Sequence, residues 1–170
     1  MESTKYYSSK QENAIADYLG WRVVSGSGAR DCHPGDIVSD SWLGECKTHT
    51  SSGRQISFNK FVWHKICEEA QSKFKFPVLF VDDGSQSISK TWCLFSYTLI
   101  CKSSYTTIDE MHLYPKKTNI VFDHSEMMQG YKQLQEHLNE YIVIMCGELD
   151  GQKIGVVPLE IFNTMFGEYT

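Results

Sequence analysis

Three residues in one short stretch could bind a cation and manage a proton: Asp36, Glu45 and Lys47. Gly35-Asp36-Ile37-Val38 reads as the start of a strand, Ser39-Asp40 as a turn, and Trp42 to Thr48 as the strand that returns. Side chains alternate along a strand, so Glu45 and Lys47 project from one face and Cys46 from the other. The hairpin carries Asp36 to the same end of the sheet. Two carboxylates this close are costly as a dianion unless a cation sits between them, and an all-oxygen pair suits Mg²⁺ or Mn²⁺. The main-chain carbonyl of Cys46 is a further expected ligand. Such an ion polarises a phosphate oxygen and acidifies a bound water, while Lys47 can orient that water and offset charge developing on phosphorus. A glutamate two residues before a lysine is by itself a weak signal. Its weight comes from the Gly-Asp upstream, the hairpin spacing and the basic segment downstream. Cys32-His33, beside Asp31, lacks a partner at metal-ligand spacing and reads as loop, and His49 and His64 read as surface histidines.

The elements that must position these groups alternate between helix and strand. Ser9 and Glu12 have the spacing of a capping box, which predicts a helix of about ten residues with Ala14, Ile15, Tyr18 and Leu19 on one face and Gly20 as its stop. Trp21 to Val24 is a short β-prone run, and Ser25 to Gly28 a loop. Apolar residues at 58, 62, 66, 70 and 74 predict an amphipathic helix capped by Ser57, with Lys60, Lys65, Lys73 and Lys75 facing solvent. Pro77 ends it, and Val78 to Val81 reads as a strand covered on both faces. The first 84 residues thus form an α/β core of helix, three strands, helix and strand, and residues 85–170 an α+β elaboration packed on it. There the pattern predicts a strand at Trp92 to Ile100, a helix at Ser125 to Asn139 and a buried strand at Tyr141 to Met145. An Asp150-Gly151 hairpin leads into Lys153 to Val157, and Pro158 opens a helix at Leu159 to Phe166.

Composition bounds the partners. The chain of 170 residues is 41% hydrophobic and 22% charged, a packed globular composition, and no apolar run approaches the roughly 20 residues a bilayer requires. Six cysteines without a CxxC pair, and the absence of a signal peptide at Met1 to Tyr7, lead to an expectation of a reducing, intracellular setting. Within a cell that means cytoplasm or nucleoid, or the nucleus for a eukaryote or its virus. The formal charge of −5 opposes binding to phosphate, but it is unevenly spread. From Cys46 to Phe76 six basic residues face two acidic ones, giving +4, whereas residues 86–170 carry six basic and ten acidic, giving −4. A locally basic surface on an acidic body follows, with Arg22, Arg30, Arg54, Lys60 and Lys65 as the expected DNA contacts.

Arg22-Val-Val-Ser-Gly-Ser27-Gly, Pro34-Gly-Asp36-Ile-Val, Gly44-Glu-Cys-Lys47 and Phe76-Pro-Val-Leu-Phe-Val81 together resemble the PD-(D/E)xK nuclease superfamily. Within it the archaeal-type Holliday junction resolvases look most similar, over roughly residues 9–83. The Pro-Asp dipeptide is interrupted here by Gly35. The resemblance implies a restriction-endonuclease-like core: a mixed central sheet flanked by helices. It implies a metal site formed by Glu12, Asp36 and the Glu45 and Lys47 pair, with Ser27 also needed for catalysis, and a Mg²⁺-dependent endonuclease acting on DNA, branched or four-way junctions foremost. Symmetric cutting of two strands would call for a homodimer. Glu12 has a second reading as the third position of a capping box, and Ser27 as plain loop. A nuclease on linear duplex, an RNA endonuclease of the same superfamily and a nucleic-acid-binding protein without turnover remain open alternatives.

Overall fold

The computed structural model describes residues 4–25, 34–53, 55–99, 106–108 and 118–167. Helix α1 (Thr4–Leu19) leads into two short strands, β1 (Arg22–Val23) and β2 (Ile37–Val38), and then into β3 (Trp42–Lys47). A short strand β4 (Ile56–Asn59) precedes helix α2 (Lys60–Ser72), which crosses to β5 (Phe76–Val81), parallel to β3. The chain continues through β6 (Trp92–Ser96), β7 (Thr106–Ile108), β8 (Asn119–Phe122), α3 (His124–Leu138), β9 (Val143–Leu149), β10 (Gln152–Pro158) and α4 (Leu159–Phe166). Among the described residues, eight strands form one mixed sheet in the order β1-β2-β3-β5-β6-β10-β9-β7, and β4 pairs with β8 in a separate ribbon. The sheet therefore runs unbroken from residues of the first half into those of the second. No helix among the described residues is long and apolar enough to cross a membrane.

Pairing register sorts the core into two faces. Trp42, Phe80 and Phe95 point to one side, where Phe162 of α4 lies with ring centroids 5.0, 5.8 and 5.9 Å from them. Ile154 and Val156 point to the other side, covered by α2, whose Trp63 indole donates to Gln152 Oε1 at 3.1 Å. Helix α3 covers the same side through Tyr131, edge-on to Trp92 at 6.0 Å. Helices thus flank a mixed sheet, as the alternation of patterns predicts. This packing leaves no room for a side chain at Gly44: a Cβ there would lie 2.7 Å from the Phe80 ring and 2.9 Å from Ile37.

Several boundaries differ from the sequence reading. Helix α1 begins at Thr4, so Ser9 is helical and its carbonyl accepts from the Asn13 side chain. The Ser9–Glu12 capping box does not form. The buried residues of α1 are Gln11, Ile15, Ala16 and Leu19, while Tyr18 is exposed. Helix α2 is capped by Asn59, whose side chain accepts from the Phe61 N–H, because Ser57 and Phe58 are strand residues paired with β8. A spacing of four also drifts about 40° per step around a helix of 3.6 residues per turn, so it cannot hold one face over sixteen residues. Trp63, Ile66 and Ala70 are the buried set, and Phe74, beyond the helix at positive φ, is 98% exposed. Strand β6 stops at Ser96 in a 3₁₀ turn, and β9 starts at Val143, leaving Tyr141 exposed.

The Asp150-Gly151 hairpin is as predicted, with φ of 49° and 81° at its two central residues, the signature of a type I′ turn. Nothing lies within 4 Å of a Cβ built on Gly151, so replacement by alanine tests backbone strain alone. Gly151→Ala should cost about 1–2 kcal/mol, read as a Tm lower by several degrees. An unchanged melting curve would contradict the turn assignment.

Candidate active site

The site forms where β3 ends. Asp36 stands just before β2; its N–H donates to the Gly44 carbonyl and its carbonyl accepts from Val24, each at 2.8 Å, so its backbone is tied on both sides. Its Oδ2 accepts the Cys46 N–H at 2.8 Å, occupying a main-chain donor on β3. Glu69 of α2 accepts from the Gly35 N–H at 3.1 Å and fixes the approach to Asp36. Glu45, only 7% exposed, accepts from Lys47 Nζ at 2.6 Å, and the same ammonium donates to the Cys46 carbonyl at 3.2 Å. Glu45 and Lys47 thus share a face while the Cys46 thiol is buried on the other, as strand alternation requires.

Glu12 belongs to this constellation electrostatically. Burial pushes its carboxyl above the ordinary range, Asp36 and Glu45 add to that rise, and Lys47 opposes it. Asp36 is raised by burial first and by Glu45 second, against the Cys46 hydrogen bond and the charges of Lys47 and Lys65. Burial alone would depress the Lys47 ammonium, but the charge and hydrogen bond of Glu45 outweigh it and hold its pKa above the ordinary value. With Ser9 inside the helix, Glu12 has no capping role.

Among the described residues, no three His, Cys, Asp or Glu side chains are gathered closely enough to hold a metal ion as they stand. The donor chemistry nevertheless fits a hard cation. Glu12, Asp36 and Glu45 supply only oxygens, the Cys46 carbonyl adds another, and the rise of the Glu12 and Asp36 carboxyls, set first by burial and then by a neighbouring carboxylate, is one that a cation would relieve. In this arrangement the Lys47 ammonium takes that part for Glu45.

Sequence reading missed the support around Lys47. The buried Gln11 donates from Nε2 to the Lys47 carbonyl at 3.0 Å, and the Asp82 N–H reaches the same oxygen at 3.3 Å. Asp82 is 1% exposed; its Oδ1 accepts from the Thr48 hydroxyl at 2.5 Å and from the Gly84 N–H at 2.8 Å. Gln86, in the left-handed region, closes the cluster by donating to Thr48 and to the His49 carbonyl. A Cβ on Gly84 would come within 2.1 Å of the Ser51 carbonyl, so only glycine fits the turn after β5. In the sequence, Asp82-Asp83-Gly84 signals only a strand end. The one available sign for Gln11 is a polar residue on an otherwise apolar helical stripe.

The expected phosphate contacts fare unevenly. Arg22 is exposed on β1. Lys65 is 60% exposed and pairs with Glu69 at 3.4 Å. Lys60 is bound to Asp150 at 2.8 Å, and Lys75 donates to the Ser39 and Asp40 carbonyls, so neither simply faces solvent. Ser27, Arg30, Arg54 and the Cys32-His33 pair lie outside the described residues. Cys46, Cys67 and Cys93 are free thiols. Compared with known proteins, the chain matches no family model, no curated protein and no solved structure.

Proposed function

We propose that the protein is a divalent-metal-dependent endonuclease of the PD-(D/E)xK type, acting on DNA with branched or four-way junctions as the leading substrate. The observation that carries this reading is the convergence of Asp36, Glu45 and Lys47 at one end of β3, with Glu12 within electrostatic reach. The order α1, β1, β2, β3, β4, α2, β5, with β3 and β5 parallel and β4 outside the main sheet, supports a restriction-endonuclease-like core. Asp36, Glu45 and the Cys46 carbonyl would hold Mg²⁺ or Mn²⁺, with Glu12 assisting. The ion supplies Lewis-acid polarisation of the phosphodiester and a lowered pKa for the attacking water.

The chain's own residues do the rest. The Lys47 ammonium, held charged by Glu45, can orient the water and then neutralise charge gathering on the nonbridging oxygens. The Asp36 backbone, bonded to Gly44 and Val24, fixes the carboxylate relative to Glu45, and Gln11 and Asp82 fix the Lys47 main chain. Such positioning counts because catalytic groups displaced by an ångström lose much of their effect. A homodimer would place two such sites on the two strands of a junction, which light scattering at micromolar concentration can check.

The test is a panel of end-labelled four-way junction, flap, duplex and single-stranded DNA, with matching RNA, incubated with Mg²⁺ and with EDTA. Cation-dependent cleavage strongest on the junction is expected. Cleavage of RNA alone would make this an RNA endonuclease. Binding without cleavage of any substrate would mark a nucleic-acid-binding protein that lacks turnover.

Lys65 should contribute one backbone contact, since it is exposed and its charge reaches Asp36. Lys65→Ala should lower the slope of log affinity against log salt on duplex DNA by about 0.9. Titrations in Ca²⁺ at several salt concentrations, with Lys153→Ala as reference, measure it. An unchanged slope for Lys65→Ala would move the binding face elsewhere.

A further inference from the structure

The sheet end that carries Lys47 continues sideways toward a cavity on the second half of the chain. Lys47 pairs in register with Val81, Val81 with Trp92, and Trp92 with Pro158. Residues paired directly across a sheet project to the same side, so the Trp92 indole lies on the face of Lys47. It is two strands away, about 10 Å at the usual interstrand spacing. Trp92 Nε1 donates to His124 Nδ1 at 3.1 Å, which leaves the imidazole proton of the neutral ring on Nε2. Among the described residues that N–H has no acceptor, and His124 lines a cavity of about 400 Å³. Lys90 and Lys132 share the cavity, with Ile88 and Met128 as apolar wall.

We propose that this cavity is a phosphodiester subsite, which takes a backbone phosphate and its nucleoside from the bound strand at a position removed from the scissile bond. It rests on the nuclease reading for its substrate, but its ligand chemistry is its own. Lys90 is engaged by Asp83 at 3.0 Å, so the uncompensated charge comes from Lys132, exposed and without an ion pair among the described residues. The Glu160 carboxylate, accepting from Tyr141 at 3.4 Å, also borders the cavity. One free cation, one imidazole N–H and one opposing carboxylate suit the single charge of a diester better than the double charge of a terminal phosphate. A nucleoside fits against Ile88 and Met128, and the volume lies within the ordinary range of ligand sites.

The experiment measures fluorescence anisotropy of a labelled single-stranded oligonucleotide on the full-length protein in EDTA, where cleavage plays no part. Lys132→Ala lies on an exposed position and should not disturb folding. His124→Asn keeps an acceptor for Trp92 and removes the Nε2–H. Each should weaken binding three- to tenfold, and Lys132→Ala should lower the salt slope by about 0.7, the single-strand value. Lys153→Ala, at the opposite end of β10, should do neither. A dinucleotide should compete better than a nucleoside 5′-monophosphate. Unchanged affinity for both variants, or stronger competition by the monophosphate, overturns the subsite. Cleavage in Mg²⁺ by a protein that gives this result would leave the nuclease reading intact, and subsite binding by a protein that cleaves nothing would sink only the catalytic reading.

Discussion

Lys47→Ala is expected to slow cleavage at least ~100-fold at saturating cation, equivalent to about 2.7 kcal/mol of transition-state stabilisation. The ammonium matters most when negative charge gathers on phosphorus, and its proton is secure because Glu45 lies 2.6 Å away. Substrate binding should change far less, since the charge is needed mainly at the transition state. Alanine also leaves the Glu45 carboxylate, 7% exposed, without its ion-pair partner, so some loss of stability is expected alongside. Lys47→Gln separates the two effects, because an amide keeps a hydrogen-bond donor while losing the charge. It should restore Tm but not rate. Recovery of near wild-type kcat by Lys47→Gln would show that the charge is dispensable and Lys47 merely structural.

The second large effect is on stability, and its sign runs opposite to that of most substitutions at a half-buried polar residue. Burial and Glu45 raise the folded-state pKa of Asp36 above its ordinary 3.8. Below that value the group is protonated in both folded and unfolded chains and costs nothing. As pH rises through the window between 3.8 and the raised folded value, the unfolded chain ionises first and stability falls; above the window the penalty is complete. Glu12, raised from 4.5 by burial and by Asp36, follows the same course. Asp36→Asn removes one charge and keeps an acceptor for the Cys46 N–H, so the variant should melt a few degrees above wild type at pH 7 in EDTA. That advantage should disappear near pH 3. Addition of Ca²⁺ or Mn²⁺ should reverse the ranking. A cation at a hundred times its Kd stabilises the wild type by about 2.7 kcal/mol, roughly 5–10 °C in Tm for a chain of this size. Asp36→Asn should gain little. Differential scanning fluorimetry across pH, with and without cation, reads both arms; an equal cation-induced shift in the two proteins would remove Asp36 from the metal site.

The halves of the molecule were unequally legible. Period-two alternation placed Glu45 and Lys47 on one face of β3, and Asp150-Gly151 announced its turn, because in both cases the determinant is local: two side-chain directions on a strand, or two positive φ angles. The capping reading of Ser9 and Glu12 failed because five residues with no obvious start signal, Thr4 to Ser8, extend α1 ahead of Ser9. Ser57 failed as a cap because β8, some sixty residues later, claims it for a ribbon. Gln11 and Asp82 act through one carbonyl, that of Lys47, which α1 and the turn after β5 reach only after folding. Nothing in local spacing encodes that meeting. The register that aligns Lys47, Val81, Trp92 and Pro158 is likewise set by four strands from both halves, and a reading that divides the chain at residue 84 cannot see it.

The central claim, cation-dependent phosphodiester cleavage by the residues at the end of β3, is tested most directly by following an end-labelled four-way junction with wild type and Glu45→Gln, each in Mg²⁺ and in EDTA. Cleavage by wild type in Mg²⁺ alone, reduced at least ~100-fold in Glu45→Gln while junction binding persists, is the expected result. Equal cleavage by the two proteins in Mg²⁺, or wild-type cleavage undiminished by EDTA, would contradict it.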